Sequence, residues 1–320
     1  MAKSDPLNGK LVVLLGGSGF VGTHLAQDLL ARGARLRIAS RHPERAYKLK
    51  PLGNLGQTQF VACDVTKPDT VRAVLTGADA AIYLVGSFSG NLNAIQAKGA
   101  RVAAEAAAAA GLESFVLVSA IGADAASESA YARTKAEGEE AVLAAFPKAT
   151  IIRPGVLFAE DDKFVNLFAN LVSSFPVLPV FGPEAKLQPL WVDDAAEAIG
   201  NALGDPKKHG GKTYEIAGPE AITMGQLHRM IAKGQERNPL LLDMPDAMSA
   251  LFAALPGTPM NRDQWIMLKA GSVPSGKLPG LKALGVSPKP LELFLGKWMI
   301  RFRKHGRFGT KISAAKHHEG

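Results

Sequence analysis

The hydrophobic pattern first becomes regular at Leu11-Val12-Val13-Leu14-Leu15, five apolar residues with no polar interruption. A run this short, partly β-branched and bounded by Lys10 and glycine, predicts a strand buried on both faces. Gly16, Gly19 and Gly22 follow at once, and Leu25, Leu29 and Leu30 then recur at helical spacing. Strand-length segments, alternating at 35–41 and mainly apolar at 59–64, 80–86, 114–119 and 149–154, follow. Helical patterns at 69–76, about 92–110 and 132–145 separate the later ones, the second of these ending at Gly111. Such alternation predicts parallel strands with helical crossovers covering both faces of one sheet.

Past Pro154 the pattern loosens. Residues 164–172 read as a helix, and 173–183 as a loop carrying Pro176, Pro179 and Pro183. Two short strands near 189–193 and 212–217 flank an alanine-rich helix begun by Asp193 or Asp194, and both are expected to return to the sheet. Beyond about 220 the pattern is helices joined by proline-rich connections. The fold class expected is α/β, a Rossmann-type doubly wound parallel sheet with a smaller, mainly helical C-terminal region. The divisions expected are a tail over 1–9, a Rossmann domain over 10–156, a C-terminal region over 157–303 and a basic tail over 304–320.

Composition changes this picture in three places. The longest apolar runs are strand-length, short of the roughly 20 residues that cross a bilayer. The polar start leaves no visible signal peptide or presequence, so a bacterial cytoplasmic protein is expected. A single cysteine, Cys63, excludes an internal disulfide and closes an apolar strand, where packing suits it better than reactivity. The net charge of +8 is uneven, with Lys297, Arg301, Arg303, Lys304, Arg307, Lys311 and Lys316 opposed after 297 only by Glu319. Such an end suits an anionic membrane surface or an acidic partner. No nucleic acid is expected, because no aromatic platform or binding motif accompanies the charge. No metal site is expected either.

The candidate chemistry lies at the ends of the strands. Strand, glycine turn and helix in succession allow backbone amides to approach a pyrophosphate, with the positive end of the helix behind them. At the end of the second strand no acidic residue stands ready for ribose hydroxyls. Arg41 stands there instead, a fixed charge with a planar fork of donors that suits a 2′-phosphate. The cofactor expected is therefore NADP(H). Asp64 and Val65 follow the third strand, where an adenine edge is met, although Asp64 serves equally well as a turn cap. Val85 and Gly86 close the fourth strand, Ser119 closes the fifth, and Pro154, Gly155 and Val156 follow the sixth. Tyr131 and Lys135 lie four apart, one helical turn. An ammonium beside a phenol favours the phenolate, which would lower the tyrosine pKa toward acid–base use.

Glycine turn, fifth-strand serine and Tyr-x-x-x-Lys together resemble the extended or atypical short-chain dehydrogenase/reductase superfamily. Within it, four segments resemble the nucleotide-binding accessory subunits of respiratory complex I, which are catalytically silent. They are Leu49-Lys50-Pro51-Leu52-Gly53-Asn54-Leu55-Gly56-Gln57, Glu160-Asp161-Asp162-Lys163-Phe164-Val165-Asn166, Gln188-Pro189-Leu190-Trp191-Val192-Asp193-Asp194, and Leu278-Pro279-Gly280-Leu281-Lys282-Ala283-Leu284-Gly285-Val286 with Pro290-Leu291-Glu292-Leu293 after it. The resemblance implies a tightly held NADPH and docking on the peripheral-arm subunits of complex I, at the cytoplasmic face of a bacterial inner membrane. It implies that Gly16, Ser18, Gly19, Phe20 and Gly22 meet the pyrophosphate, with Val21 beside them in the cofactor site, and Arg41 the 2′-phosphate. Asp64 and Val65 would meet the adenine and Lys135 the nicotinamide ribose, with Tyr131 matching the acid of active relatives. Active relatives place their serine slightly past the strand end, where this chain has Ala120 and Ile121, so the Tyr131/Lys135 pair is expected to survive without turnover. The alternative is a soluble NADP-dependent reductase or epimerase using the same pair.

Overall fold

The computed structural model describes residues 4–255, 257–258 and 260–304. The chain divides into two compact units. The first comprises Met1–Gly155, Val192–Ala217 and Pro274–Pro288, and the second Val156–Trp191, Gly218–Val273 and Lys289–Gly320.

The first unit is built on seven strands. In chain order they are β1 (Leu11–Leu15), β2 (Arg35–Ser40), β3 (Thr58–Ala62), β4 (Ala80–Tyr83), β5 (Ser114–Val118), β6 (Thr150–Pro154) and the strand Thr213–Ile216. Across the sheet the order runs Thr213–Ile216, β6, β5, β4, β1, β2, β3, with every pairing parallel. The order reverses between β1 and β4, and in open α/β sheets ligands bind at the carboxyl ends of the strands beside such a switch. All five residues of β1 are buried, as a central strand under helices on both faces requires. Flanking it are α1 (Phe20–Ala31), α2 (Pro68–Leu75), α3 (Gly99–Ala109) and α4 (Ala130–Ala145). The alanine run of α3 does more than favour a helix: Ala100, Ala103, Ala104 and Ala107 are fully buried, and their small side chains let α3 lie close to its neighbours.

The expected helix from 92 begins differently. Asn93–Lys98 winds as a π-helix before α3 takes over. At the N-terminal end Leu7 is buried and Asp5 pairs with Arg32, so residues 4–9 pack rather than trail. The returning strand Thr213–Ile216 joins the large sheet as expected. Leu190–Trp191 does not: it pairs with Leu157–Phe158 in a separate two-stranded ribbon, because the helix Val192–Gly204 starts immediately after it.

The second unit corrects another expectation. The proline-bearing stretch 173–183 contains the strand Val177–Phe181, which pairs in parallel with Leu240–Met244. A two-stranded ribbon is all edge, so Pro179 forfeits no ladder bond that the fold needs. Around this ribbon pack α5 (Phe164–Ser174) and the helices Met224–Gly234, Asp246–Ala254, Arg262–Ala270 and Glu292–Trp298. Val165, Ala169, Val172, Leu227, Ile231, Leu291, Leu295 and Met299 form its core, with Phe294, Trp298 and Phe302 packed against it. The apolar residues of segment 291–302 therefore close this core. Only Leu293 of its large apolar side chains stands far out, 65% exposed. Most of the expected basic tail, from residue 305, lies outside the described residues. Among the described residues no helix is long and apolar enough to cross a membrane.

Two family-like segments prove to be structural knots. Asp162 accepts hydrogen bonds from the amides of Ala159 (3.1 Å) and Val165 (2.6 Å), capping α5, while Asn166 Nδ2 donates to the carbonyls of Glu160 and Asp162. Arg301 Nη2 then donates to Glu160 O and Asn166 Oδ1, both at 2.6 Å, pinning the C-terminal segment to this turn. In the first unit Pro279 O accepts from Glu215 N and Leu284 O from Asn201 Nδ2, which covers the open edge of Thr213–Ile216.

Candidate functional site

The glycine turn sits at the carboxyl end of β1. Gly16 has φ +86°, and a Cβ there would lie 3.0 Å from Val85 Cγ2 and 3.2 Å from Val85 N, so only glycine fits. At Gly22 a Cβ would lie 2.6 Å from the backbone of Gly17, so its role is to let α1 begin close against the turn. Gly19 differs: a Cβ there would meet only Gly16 O, at 3.4 Å, so its openness faces outward. The N-terminus of α1 has no side-chain cap and no acidic residue in its first turn. Uncapped amides on a 12-residue helix, reached over a bare glycine, suit a pyrophosphate. Ser18, Phe20 and Val21 are half-buried around this turn, with the Phe20 ring edge-on to His24.

Along the edge toward β2 and β3, Arg41 is exposed, and Asp64 is held below the ordinary carboxylate range, first by hydrogen bonds from Thr66 and least by the Arg41 charge. The larger cause is local: Asp64 Oδ1 accepts from Thr66 N at 3.0 Å and Thr66 Oγ1 at 2.8 Å. Asp64 is thus a turn cap, the alternative the sequence left open, and Val65 beside it is buried. Ser40, which the sequence reading passed over, ends β2 with its buried hydroxyl lacking a hydrogen-bond partner. Only a two-residue strand-end signal, Ser40-Arg41, could have flagged it.

The other side of the switch point gathers Val85, Gly86, Ser119, Tyr131 and Lys135. Lys135 Nζ donates to Val118 O at 3.0 Å and lies 3.4 Å from where a Cβ on Gly86 would stand. Burial drives its pKa down to about 8, partly opposed by Glu139 one turn further along α4. Ser119 is 4% exposed and, like Ser40, has a buried hydroxyl without a partner. Tyr131 departs from expectation. Its pKa is pushed up to about 12 by desolvation, not lowered. The physical reason is that Lys135 Nζ is spent on a backbone carbonyl and stands 5.8 Å from the ring centroid. Pro154 ends β6, its carbonyl accepting from Ile121 N, and Gly155 N donates to Ile216 O. Val156 belongs to the second unit.

Beneath Lys135 lies an ion network that the sequence did not reveal. Arg153 grips Glu139 with Nε at 2.9 Å and Nη2 at 2.6 Å, and approaches Glu215 at 3.8 Å. Glu215 in turn accepts from Ser275 N and Oγ. The partners come from α4, β6, the edge strand and a distant loop, so no local spacing announces them.

The arrangement fits a dinucleotide: an open glycine turn, an uncapped helix end, and two orphaned hydroxyls along one sheet edge. Residues 16–170 match the NAD(P)H-binding family, and residues 123–260 the RmlD substrate-binding domain. Among solved structures, the chain is similar to a dTDP-glucose 4,6-dehydratase from Streptomyces venezuelae, with a TM-score of 0.72 and 18% identity over 93% of this chain and 98% of that one. It is also similar to a Thermus thermophilus UDP-glucose 4-epimerase, at TM-score 0.67 and 19% identity over 92% and 99%. Those likenesses speak for the fold. Closer in sequence are the mitochondrial NADH dehydrogenase [ubiquinone] 1 alpha subcomplex subunit 9 proteins of Arabidopsis thaliana and Mus musculus. The plant protein is 31% identical over 96% of this chain and 82% of its own length, and the mouse protein 30% over 97% and 85%. A ceramide reductase from Caulobacter vibrioides is 32% identical over 69% of this chain and 73% of its own length. Matched almost end to end in both units, the chain belongs to the family of the complex I alpha-subcomplex subunit 9 proteins, within the extended short-chain dehydrogenase/reductases.

Proposed function

We propose that this protein is an accessory or assembly subunit that associates with the peripheral arm of complex I and holds NADP(H) mainly as part of its structure. The observation that carries the proposal is the near full-length match to subunits of that complex, which extends through the second unit and not only through the nucleotide-binding half. In this reading Gly16, Ser18, Gly19, Phe20, Val21 and Gly22 cradle the pyrophosphate. Arg41 and Ser40 take the 2′-phosphate, a charged fork and a hydroxyl at one strand end. Val65 packs on the adenine, while Lys135 and Ser119 reach the nicotinamide ribose, with Val85, Gly86, Tyr131, Pro154 and Gly155 around the nicotinamide. The protein works at the cytoplasmic face of a bacterial inner membrane, its basic C-terminal end toward anionic headgroups. Membranes solubilised in mild detergent provide the test: the tagged protein should co-migrate with complex I and carry NADPH. Absence from the complex defeats the proposal. Calorimetry should give tighter binding of NADPH than of NADH, and the reverse order removes the roles given to Ser40 and Arg41.

A second reading, an NADP-dependent reductase using Tyr131 and Lys135, is favoured by the Caulobacter relative, which is named a ceramide reductase. Opposing it are the raised pKa of Tyr131 and the commitment of Lys135 to Val118 O. Carbonyl-dependent NADPH oxidation by the wild type, lost in Tyr131→Phe, would decide for it.

A further inference from the structure

We propose that Phe88 is a built aromatic cover that closes the Tyr131 ring to carbonyl compounds arriving from solvent. Phe88 follows β4 and stacks on Tyr131 with centroids 4.5 Å apart and planes 16° apart. Ordinary core packing does not account for it, because Phe88 is 47% exposed. A singly exposed ring is ordinary by itself, so what fixes this one against Tyr131 has to be read from its contacts.

The cause is a chain of buried contacts. Asn93–Lys98 winds as a π-helix, and such single-turn insertions re-aim a side chain. Here the side chain is Gln96, 2% exposed, whose Nε2 donates to Ser87 O at 2.6 Å. Thr134 Oγ1 donates to Gln96 Oε1 at 3.1 Å, and Thr134 is the α4 residue immediately before Lys135. Gly138 permits this approach, since a Cβ there would stand 2.3 Å from Gln96 O. Tyr83 donates its hydroxyl to Ile95 O and fixes the π-turn from below. Ser87 Oγ, finally, accepts from Ser89 N and donates to Ser89 O, closing a hydrogen-bonded bend around Phe88. The helix that carries Tyr131 thereby positions the ring that covers it.

The consequence is chemical. A phenol stacked under another ring, with its charged form disfavoured, is kept from handing a proton to a carbonyl oxygen. That would keep a bound nucleotide unspent, so the meaning of the cover rests on the nucleotide reading above, whereas its existence does not. Tyrosine nitration by tetranitromethane, followed by peptide mass spectrometry on the nucleotide-free full chain, tests the existence. Exposed Tyr47 is the internal standard. In Phe88→Ala, nitration of Tyr131 relative to Tyr47 should rise about fivefold, the opening expected when an aromatic stack of ordinary strength is lost. Phe88→Trp should keep the wild-type rate. Gln96→Leu, which spares both rings, should reproduce the rise. Because Phe88 is half exposed, Phe88→Ala remains folded and carries the test if Gln96→Leu does not. An unchanged Tyr131 rate in Phe88→Ala overturns the proposal. Nitration that responds as expected in a chain that takes up no added NADPH in calorimetry leaves the cover standing and removes the nucleotide reading alone.

Discussion

Three glycines of one motif do three different jobs, and substitution should separate them. Gly22→Ala drives a methyl group to within 2.6 Å of the Gly17 backbone, which cannot move without shifting α1. The expected cost is about 1–3 kcal/mol of stability, read from urea midpoints. At Gly19 the backbone is ordinary, with φ −78°, and the methyl group meets only one oxygen at contact distance. Gly19→Ala should therefore leave the nucleotide-free protein within about 0.5 kcal/mol of wild type, while NADPH affinity falls sharply in calorimetry. Equal loss of stability in both variants would mean that the open face of Gly19 has no functional reason. Lys135 gives a second prediction at this scale. Burial lowers its folded pKa from 10.5 to about 8, so between those values the unfolded chain binds more protons than the native one. Stability must then rise with pH across that window, and below about 8 the whole penalty stands. Linkage sets a ceiling of roughly 3 kcal/mol. In Lys135→Met the rise between pH 8 and 10.5 should vanish, and the nucleotide-free protein should be more stable than wild type near pH 7. Parallel urea titrations at pH 7.5 and 9.5 check both, and an identical slope in the two proteins would refute the shift. The glycine spacing and Tyr131/Lys135 were legible because they are local. The direction of the tyrosine shift was not, because it depends on where Lys135 Nζ goes, and that is a tertiary fact.

At the scale of elements, local pattern was informative wherever one element buried one face against one sheet. The strands β1 to β6 and the edge strand Thr213–Ile216 stood out as strand-length segments, apolar or alternating, between glycines and helical spacings. The ribbon of Val177–Phe181 with Leu240–Met244 did not, since Pro176, Pro179 and Pro183 argue against a strand unless its edge is free. The π-turn at Asn93–Lys98 was hidden for another reason: one inserted residue leaves the composition of a helix unchanged. The segment 160–166, by contrast, carried a family signal whose cause now appears in α5. Asp162 satisfies the amide of Val165 in the first turn of that helix and that of Ala159 in the turn before it, and Arg301 locks the same turn. Asp162→Ala should cost about 2 kcal/mol, the upper range for a helix cap because the freed amides are buried. Arg301→Ala, on a half-exposed partner, should cost less. Chemical denaturation of the two variants gives the order, and a larger loss for Arg301→Ala would show that the cap is not what the segment preserves.

For the molecule as a whole, connectivity constrains what a fragment can do. The chain passes between the two units at Gly155/Val156, Trp191/Val192, Ala217/Gly218, Val273/Pro274 and Pro288/Lys289. A boundary near 156 is therefore the end of a segment and not the end of a folding unit. Residues 1–155 contain the glycine turn, Arg41, Tyr131 and Lys135, and they end just after β6. They lack Thr213–Ile216, whose pairing covers the outer edge of β6, and Val192–Gly204, where Asp193 meets His24 of α1 at 2.7 Å. They also lack Glu215 and Ser275, so Arg153 loses one of its two carboxylates and the open β6 edge presents unpaired backbone groups beside buried Ile151 and Ile152. Unpaired edges of this kind promote association between chains. A fragment of residues 1–155 should thus aggregate or remain partly folded and bind NADPH weakly. A single chain of residues 1–217 restores the strand and helix and should recover part of the affinity. Gel filtration and fluorescence titration of both fragments measure this. A monomeric 1–155 fragment that binds NADPH as the full chain does would show that the nucleotide site stands without the returning segments.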